Sequence, residues 1–226
     1  MRRLAVRDLG LMPYREALAL QRSLAERRKR GEGPDQLLLL EHPHVLTLGR
    51  NASFENLLIS RERLAELGMD LVEINRGGDI TYHGPGQIIG YPIVDLREWK
   101  RDVVAYIRGL EEVVLRALGR FGISGERDRG ATGVWVEGAK ICAMGVHISR
   151  WVTTHGFALN WKTDLRFFEY IVPCGLRRPV TSMEKLGVRA ERGLVLEALA
   201  AAFAEVFEYE PAGVGEPVLA RPLASG

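Results

Sequence analysis

Two residue types in this chain could supply a nucleophile and its cationic partner, and both are scarce. Cys142 and Cys174 are its two cysteines, and lysine supplies only Lys29, Lys100, Lys140, Lys162 and Lys185 among 31 basic residues. A thiol attacks a carbonyl as its thiolate, which a neighbouring cation favours over the neutral thiol. No histidine lies close in sequence to Cys174, which stands in Pro173-Cys174-Gly175. Lys140 is therefore the natural cation, with contact made across the fold. Cys142 competes as nucleophile, being two residues from Lys140 and on the same face of a strand; its alternative role is a small core residue. The alternative for Lys140 is a surface lysine at a hairpin turn, its ammonium in water.

A second stretch with chemical potential is Arg76-Gly77-Gly78-Asp79-Ile80-Thr81-Tyr82-His83-Gly84-Pro85-Gly86-Gln87. It holds four glycines and a proline between strand-like runs, Leu71 to Ile74 and Ile88 to Val94. Glycine permits positive φ and close approach of a ligand to backbone, so such a loop presents amide N–H groups to a cavity. Arg76 beside two glycines suits holding the loop or meeting an anionic or carbonyl group. His83, and His155 further on, are tempting as general bases but read better as hydrogen-bonding scaffold elements.

Residues 76–87 resemble the RGG-x-x-T-(Tyr/Phe)-HGPGQ signature of lipoyl(octanoyl) transferases. Further matches follow in chain order: Glu41-His42-Pro43, Thr47-Leu48-Gly49-Arg50, Gly133-Val134-Trp135, Lys140 to Gly145, His155 to Asn160, and Ile171 to Gly175. The similarity runs from about residue 35 to residue 186. It implies a biotin/lipoate protein ligase-like sheet and octanoyl (or lipoyl) transfer from acyl carrier protein to a lysine ε-amine. The acceptors implied are lipoyl domains of 2-oxoacid dehydrogenases and the glycine-cleavage H protein. It assigns the acyl-thioester to Cys174 and the acid/base partner to Lys140. It places the anchor loop from Arg76 to His83, Ala143-Met144-Gly145 and Gly156-Phe157-Ala158 along an acyl pocket, and it implies no cofactor. A related expectation on the same fold is an ATP-dependent lipoate–protein ligase, which needs no nucleophilic cysteine. A non-catalytic acyl- or protein-binding module is the alternative from another class.

Bulk properties fit these expectations. A chain of 226 residues, 46% hydrophobic and 27% charged, suits one well-buried core. A net charge of +2 gives no pointer to nucleic acid. With no apolar run of spanning length and no signal-like N-terminus, the expected location is cytoplasmic. Arg27-Arg28-Lys29-Arg30 reads as a solvated helix end, with a docking patch for an acidic partner as the alternative. The histidines show no metal-ligand spacing, so no metal is expected.

The elements that must position these residues follow from hydrophobic period and punctuation. Helices are expected from Pro13 to the basic run, over Ile59 to Leu67, over Asp102 to Leu118 and over Leu194 to Phe207. Strands are expected at Leu4 to Leu9 on an edge, Asp35 to Glu41, Val45 to Leu48, Leu71 to Ile74, Ile88 to Val94 and His155 to Asn160. Gly133 to Trp135 and Lys140 to Ile148 read as a hairpin turning at Glu137-Gly138. Strands arriving both as hairpins and between helices argue for an α+β fold: a single domain with a mixed β-sheet flanked by helices. The expected domain covers 1–210, with a loosely held tail over 211–226.

Overall fold

The computed structural model describes residues 2–128, 130–172, 178–210 and 214–215. Cys174 lies outside the described residues, as does most of the expected tail. Ten strands and four helices follow one another as β1 (Leu4–Leu11), α1 (Tyr14–Lys29), β2 (Asp35–Glu41), β3 (Val45–Leu48), α2 (Arg61–Glu66), β4 (Asp70–Glu73), β5 (Ile80–His83), β6 (Gln87–Ile93), α3 (Val103–Gly119), β7 (Val134–Val136), β8 (Ala139–Ser149), β9 (Val152–Asn160), α4 (Arg192–Val206) and β10 (Val214–Gly215) among the described residues. Seven strands form the main sheet in the order β10-β1-β2-β6-β9-β8-β7, and β4-β3-β5 form a small second sheet. Both are mixed: β1 runs parallel to β2 and β10, while β2, β6, β9, β8 and β7 alternate in direction.

The main sheet is covered on both faces, which explains why its central strands read as nearly continuous apolar runs. Leu37 to Leu40 of β2 are all fully buried. Alternate residues divide between two cores: Leu37 and Leu39 join α3 and α4, while Leu38 and Leu40 join Ala17, Leu24 and Ala25 of α1. Helix α3 begins where the Asp102 carboxylate accepts the Ala105 N–H at 2.9 Å. The α3–α4 contact is close because Gly109 lies under Phe207; a Cβ there would stand 2.7 Å from the ring. The hairpin turns at Glu137 and Gly138, both with positive φ (50° and 76°), the geometry of a two-residue β-turn.

Two expectations change. The Leu4 strand is not an edge, because Val6 and Arg7 pair with Val214 and Gly215; a Gly/Pro-rich stretch holds enough extended backbone to add a short strand. The anchor stretch is not a continuous loop either. It contains β5, which pairs antiparallel with β3 through Val45–His83 to Leu48–Ile80. No described helix is long and apolar enough to cross a membrane.

Candidate active site

Strand β8 carries the site along its length. At its start, Lys140 exchanges two backbone hydrogen bonds with the segment after residue 177: its N–H donates to Pro179 O (2.9 Å), and Thr181 N–H donates to its carbonyl (3.0 Å). Its ammonium donates to Thr132 O at 3.2 Å and sits 4.7 Å from the centre of the Trp135 ring. Arg178 lies over the same ring at 4.8 Å and is paired with Asp128 at 2.7 Å. The ammonium is half-exposed, between a carbonyl and a ring face that Arg178 shares.

Lys140 opens on a cavity of about 510 Å³, walled by Gly77, Gly78, Val103, Ile107, Trp135 and Val180 among others. Met144 and Gly145 line this cavity and also a smaller one of about 50 Å³. The smaller cavity is bounded by Ala143, Gly156, Phe157 and Ala158, and closed by Arg76, Thr81, His83, Tyr14, Tyr91 and His155. Small residues make the room. Ala143 pairs with Ala158 and Gly145 with Gly156 across β8 and β9. A Cβ on Gly156 would stand 2.2 Å from Gly90 O, which excludes it, and one on Gly145 would press on Arg76 at 3.0 Å.

The period of β5 divides the anchor residues. Thr81 and His83 face the small cavity, whereas Ile80 and Tyr82 are buried in the core of the small sheet. Asp79 is buried too, taking the Ile80 N–H at 2.6 Å and the amide of Asn56. Arg76 ties the stretch to β3, donating to Thr47 O and Oγ1 at 3.0 and 2.9 Å. Gly77 and Gly78 belong to the Lys140 cavity instead, where Gly77 N–H donates to Val146 O at 3.0 Å. Of the anchor and strand residues expected along the acyl pocket, Asp79, Ile80 and Tyr82 thus line neither cavity.

The imidazoles and phenols near the small cavity are neutral, beside the Arg76 guanidinium that also lines it. Burial depresses the imidazoles to about 4 for His42, about 3 for His83 and about 3 for His155, well below the ordinary 6.5. His42 meets Met12 O at 2.7 Å and Tyr91 OH at 2.9 Å; His83 meets Gln87 Oε1 at 2.8 Å. Burial likewise pushes the Tyr14 phenol up to about 12. None of these groups carries charge at neutral pH, so they suit a wall more than a base. Tyr14 and Tyr91 carried no chemical signal in the sequence. Tyr14 opens a helix some 60 residues from the loop it meets, and only the fold stacks it on His83, at 6.0 Å.

Cys142 is fully buried within the α3–α4 core, and burial pushes its thiol far above the ordinary range. It is a core residue, inert as a nucleophile at neutral pH. No cluster of metal-ligating side chains occurs among the described residues.

Residues 13–208 match the family described as the lipoyl protein ligase A/B catalytic domain. An octanoyltransferase of Solibacter usitatus is 56% identical over 210 residues, covering 93% of this chain and 96% of its own. One from Gloeobacter violaceus is 46% identical, covering 94% and 95%. Among solved structures, a bipartite lipoate protein ligase of Thermoplasma acidophilum superposes with a TM-score of 0.75 at 17% identity, over 97% of this chain and 89% of that one. A lipoate-protein ligase A bound with ATP superposes with 0.73 at 17% identity, over 96% and 90%. At that identity the superpositions speak for the fold, a mixed sheet flanked by helices in one ligase-like domain.

Proposed function

The chain belongs to the lipoyl protein ligase A/B catalytic family, and from that premise we propose that it transfers an octanoyl group from acyl carrier protein to a lysine of lipoyl domains through a thioester on Cys174. Octanoyltransferase is the activity its relatives at 46–56% identity are named for. The observation that carries the mechanism is the backbone pairing of Lys140 with Pro179 and Thr181. It tethers the segment that follows Cys174 beside the ammonium. Arg178 is four positions along the chain from Cys174, a reach of at most ~14 Å. The preceding side is tied as well, by Val172 N–H donating to Asn56 O at 2.8 Å.

The carbonyl end of the acyl chain lies in the larger cavity, by Lys140, and the tail passes Met144 and Gly145 into the smaller one. The walls there, Ala143, Gly156, Phe157 and Ala158, suit a straight apolar chain, each buried methylene contributing about 0.8 kcal/mol. The thiolate of Cys174, favoured by the Lys140 ammonium, attacks the donor thioester carbonyl. The tetrahedral intermediate expels the carrier thiolate, which takes a proton from Lys140. The neutral acceptor amine then attacks the octanoyl-Cys174 thioester, Lys140 takes its proton, and Cys174 leaves as thiolate. Both ionised partners are thereby restored, and no ATP is consumed. Partners of this step are octanoyl-acyl carrier protein and lipoyl domains, including the glycine-cleavage H protein.

Intact-mass analysis after mixing with octanoyl-carrier protein, without ATP, tests this reading. An octanoyl adduct is expected in the wild type and in Cys142→Ser, and none in Cys174→Ser. An adduct surviving Cys174→Ser, or transfer that requires ATP, overturns it. Lys140→Arg separates the two halves, because arginine keeps the charge but cannot accept a proton. It is expected to form the adduct yet deliver it to a lipoyl domain roughly 10² times more slowly or worse.

A further inference from the structure

A second cavity, of about 140 Å³, lies behind the small one on the α1 side, lined by Gln21, Arg22, Lys29, Asn75, His147 and Thr154 among others. Among the described residues, His155 alone borders both. Its imidazole is held in place from several sides. Nε2 stands 3.2 Å from Asn75 Oδ1, and the Tyr91 ring meets it edge-on at 6.3 Å. The backbone is bent to put it there: His155 lies within β9 but has a φ of 58°, the left-handed region that costs a non-glycine residue strain. That conformation turns its N–H to Gln21 of α1, which accepts it at 2.7 Å through Oε1.

The space on the two sides differs in kind. Ahead of His155, Ala143, Met144, Phe157 and Ala158 form an apolar wall, facing Arg76, Thr81 and the rings of Tyr14, His83 and Tyr91; behind it Gln21, Arg22, Glu26, Lys29, Asn75 and Thr154 outnumber the apolar Leu18 and Ala25. Gln21 lines the rear cavity and is fully buried, and its Nε2 has no hydrogen-bond partner among the described residues.

We propose that His155 is the end-stop of the acyl slot: its backbone, held by Gln21, and its imidazole, held by Asn75, partition the tail cavity from the more polar cavity behind it and so set the longest acyl chain the enzyme accepts. This rests on the tail occupying the smaller cavity. An octanoyl chain ends against the ring, and a longer one has either to displace it or to push apolar carbons into the more polar cavity. Displacing a buried polar group from its partners cancels what two added methylenes return.

The test compares kcat/KM for octanoyl-, decanoyl- and dodecanoyl-carrier protein in the full chain. His155→Gly removes the ring and accepts the positive φ without strain. Its decanoyl-to-octanoyl ratio is expected to rise tenfold or more, about the discrimination that one or two methylenes carry. His155→Asn, which also tolerates this backbone, is expected to raise the ratio less, and His147→Ala, which borders only the rear cavity, to leave it at the wild-type value. An unchanged ratio in both His155 variants overturns the proposal, as does an equal rise in His147→Ala. Ala143→Leu tells the two readings apart by narrowing the slot before His155. If it depresses octanoyl transfer relative to butanoyl while the His155 variants leave the ratio unchanged, only the end-stop fails. If Ala143→Leu changes nothing, the tail is elsewhere and both fail.

Discussion

The two ends of α1 meet two buried polar clusters built on opposite electrostatic terms. At the C-terminal end, Arg28 donates to Asp35 at 2.7 Å, and Asp35 also accepts from Arg2 (3.0 Å), Tyr209 OH (2.7 Å) and Asp95 N–H (2.9 Å). Burial opposes the Arg28 charge, but its hydrogen bonds to Asp35 and Glu98 outweigh it and hold the guanidinium above its ordinary value. At the N-terminal end, Tyr14 packs on His42 and His83, and Gln21 holds His155; there the buried groups give up their charge. One cluster keeps full charges by pairing them and joins α1, β1, β2 and the end of α4. The other sets neutral imidazoles and phenols around a cavity that Arg76 also lines. Pairing suits a fold's seam, and neutrality suits a wall that an apolar chain must touch.

Acid should break the neutral cluster first. The folded pKa values of His42, His83 and His155 lie below the ordinary 6.5, so their contribution to stability is complete above pH 6.5 and is lost as pH falls towards 4 to 3. Each costs about 1.4 kcal/mol per pH unit in that window, so stability at pH 5 is expected to fall by ~6 kcal/mol when the three act together. Denaturant titrations from pH 7.5 to 4.5 measure it; stability independent of pH down to 5 would contradict the neutral assignment. The charged cluster is expected to fail by substitution instead. Asp35→Ala leaves Arg28 buried without its carboxylate and should cost about 3–5 kcal/mol, while the folded fraction keeps its transfer rate. Gln21→Leu should cost less, about 1–3 kcal/mol, by stranding the His155 N–H. It should also loosen chain-length discrimination, which Asp35→Ala should not.

These clusters also mark where sequence reading stopped. The order of helices and strands was legible because apolar period, the Asp102 cap and the Glu137-Gly138 turn are local signals. The anchor stretch stood out by its glycines, whereas the Ala143 and Gly156 runs were pointed to by the family resemblance; both runs border the small cavity. Strand β5 was hidden because four residues flanked by glycines carry too short a period, although Ile80 and Tyr82 alternate with Thr81 and His83 as a strand requires. The strain at His155 was hidden for a different reason. Its compensation comes from Gln21, 134 residues earlier, and no local pattern couples a helical glutamine to a strand amide. Asp35 likewise draws its partners from both termini.

The central claim is that Lys140 primes Cys174, and the thiol itself reports on it. In a Cys142→Ser background, the rate of Cys174 alkylation by a small haloacetamide against pH should show a midpoint below the ordinary thiol value of about 8.5. Replacing Lys140 by methionine should raise that midpoint by at least about one unit. An identical midpoint with and without the ammonium would contradict the account.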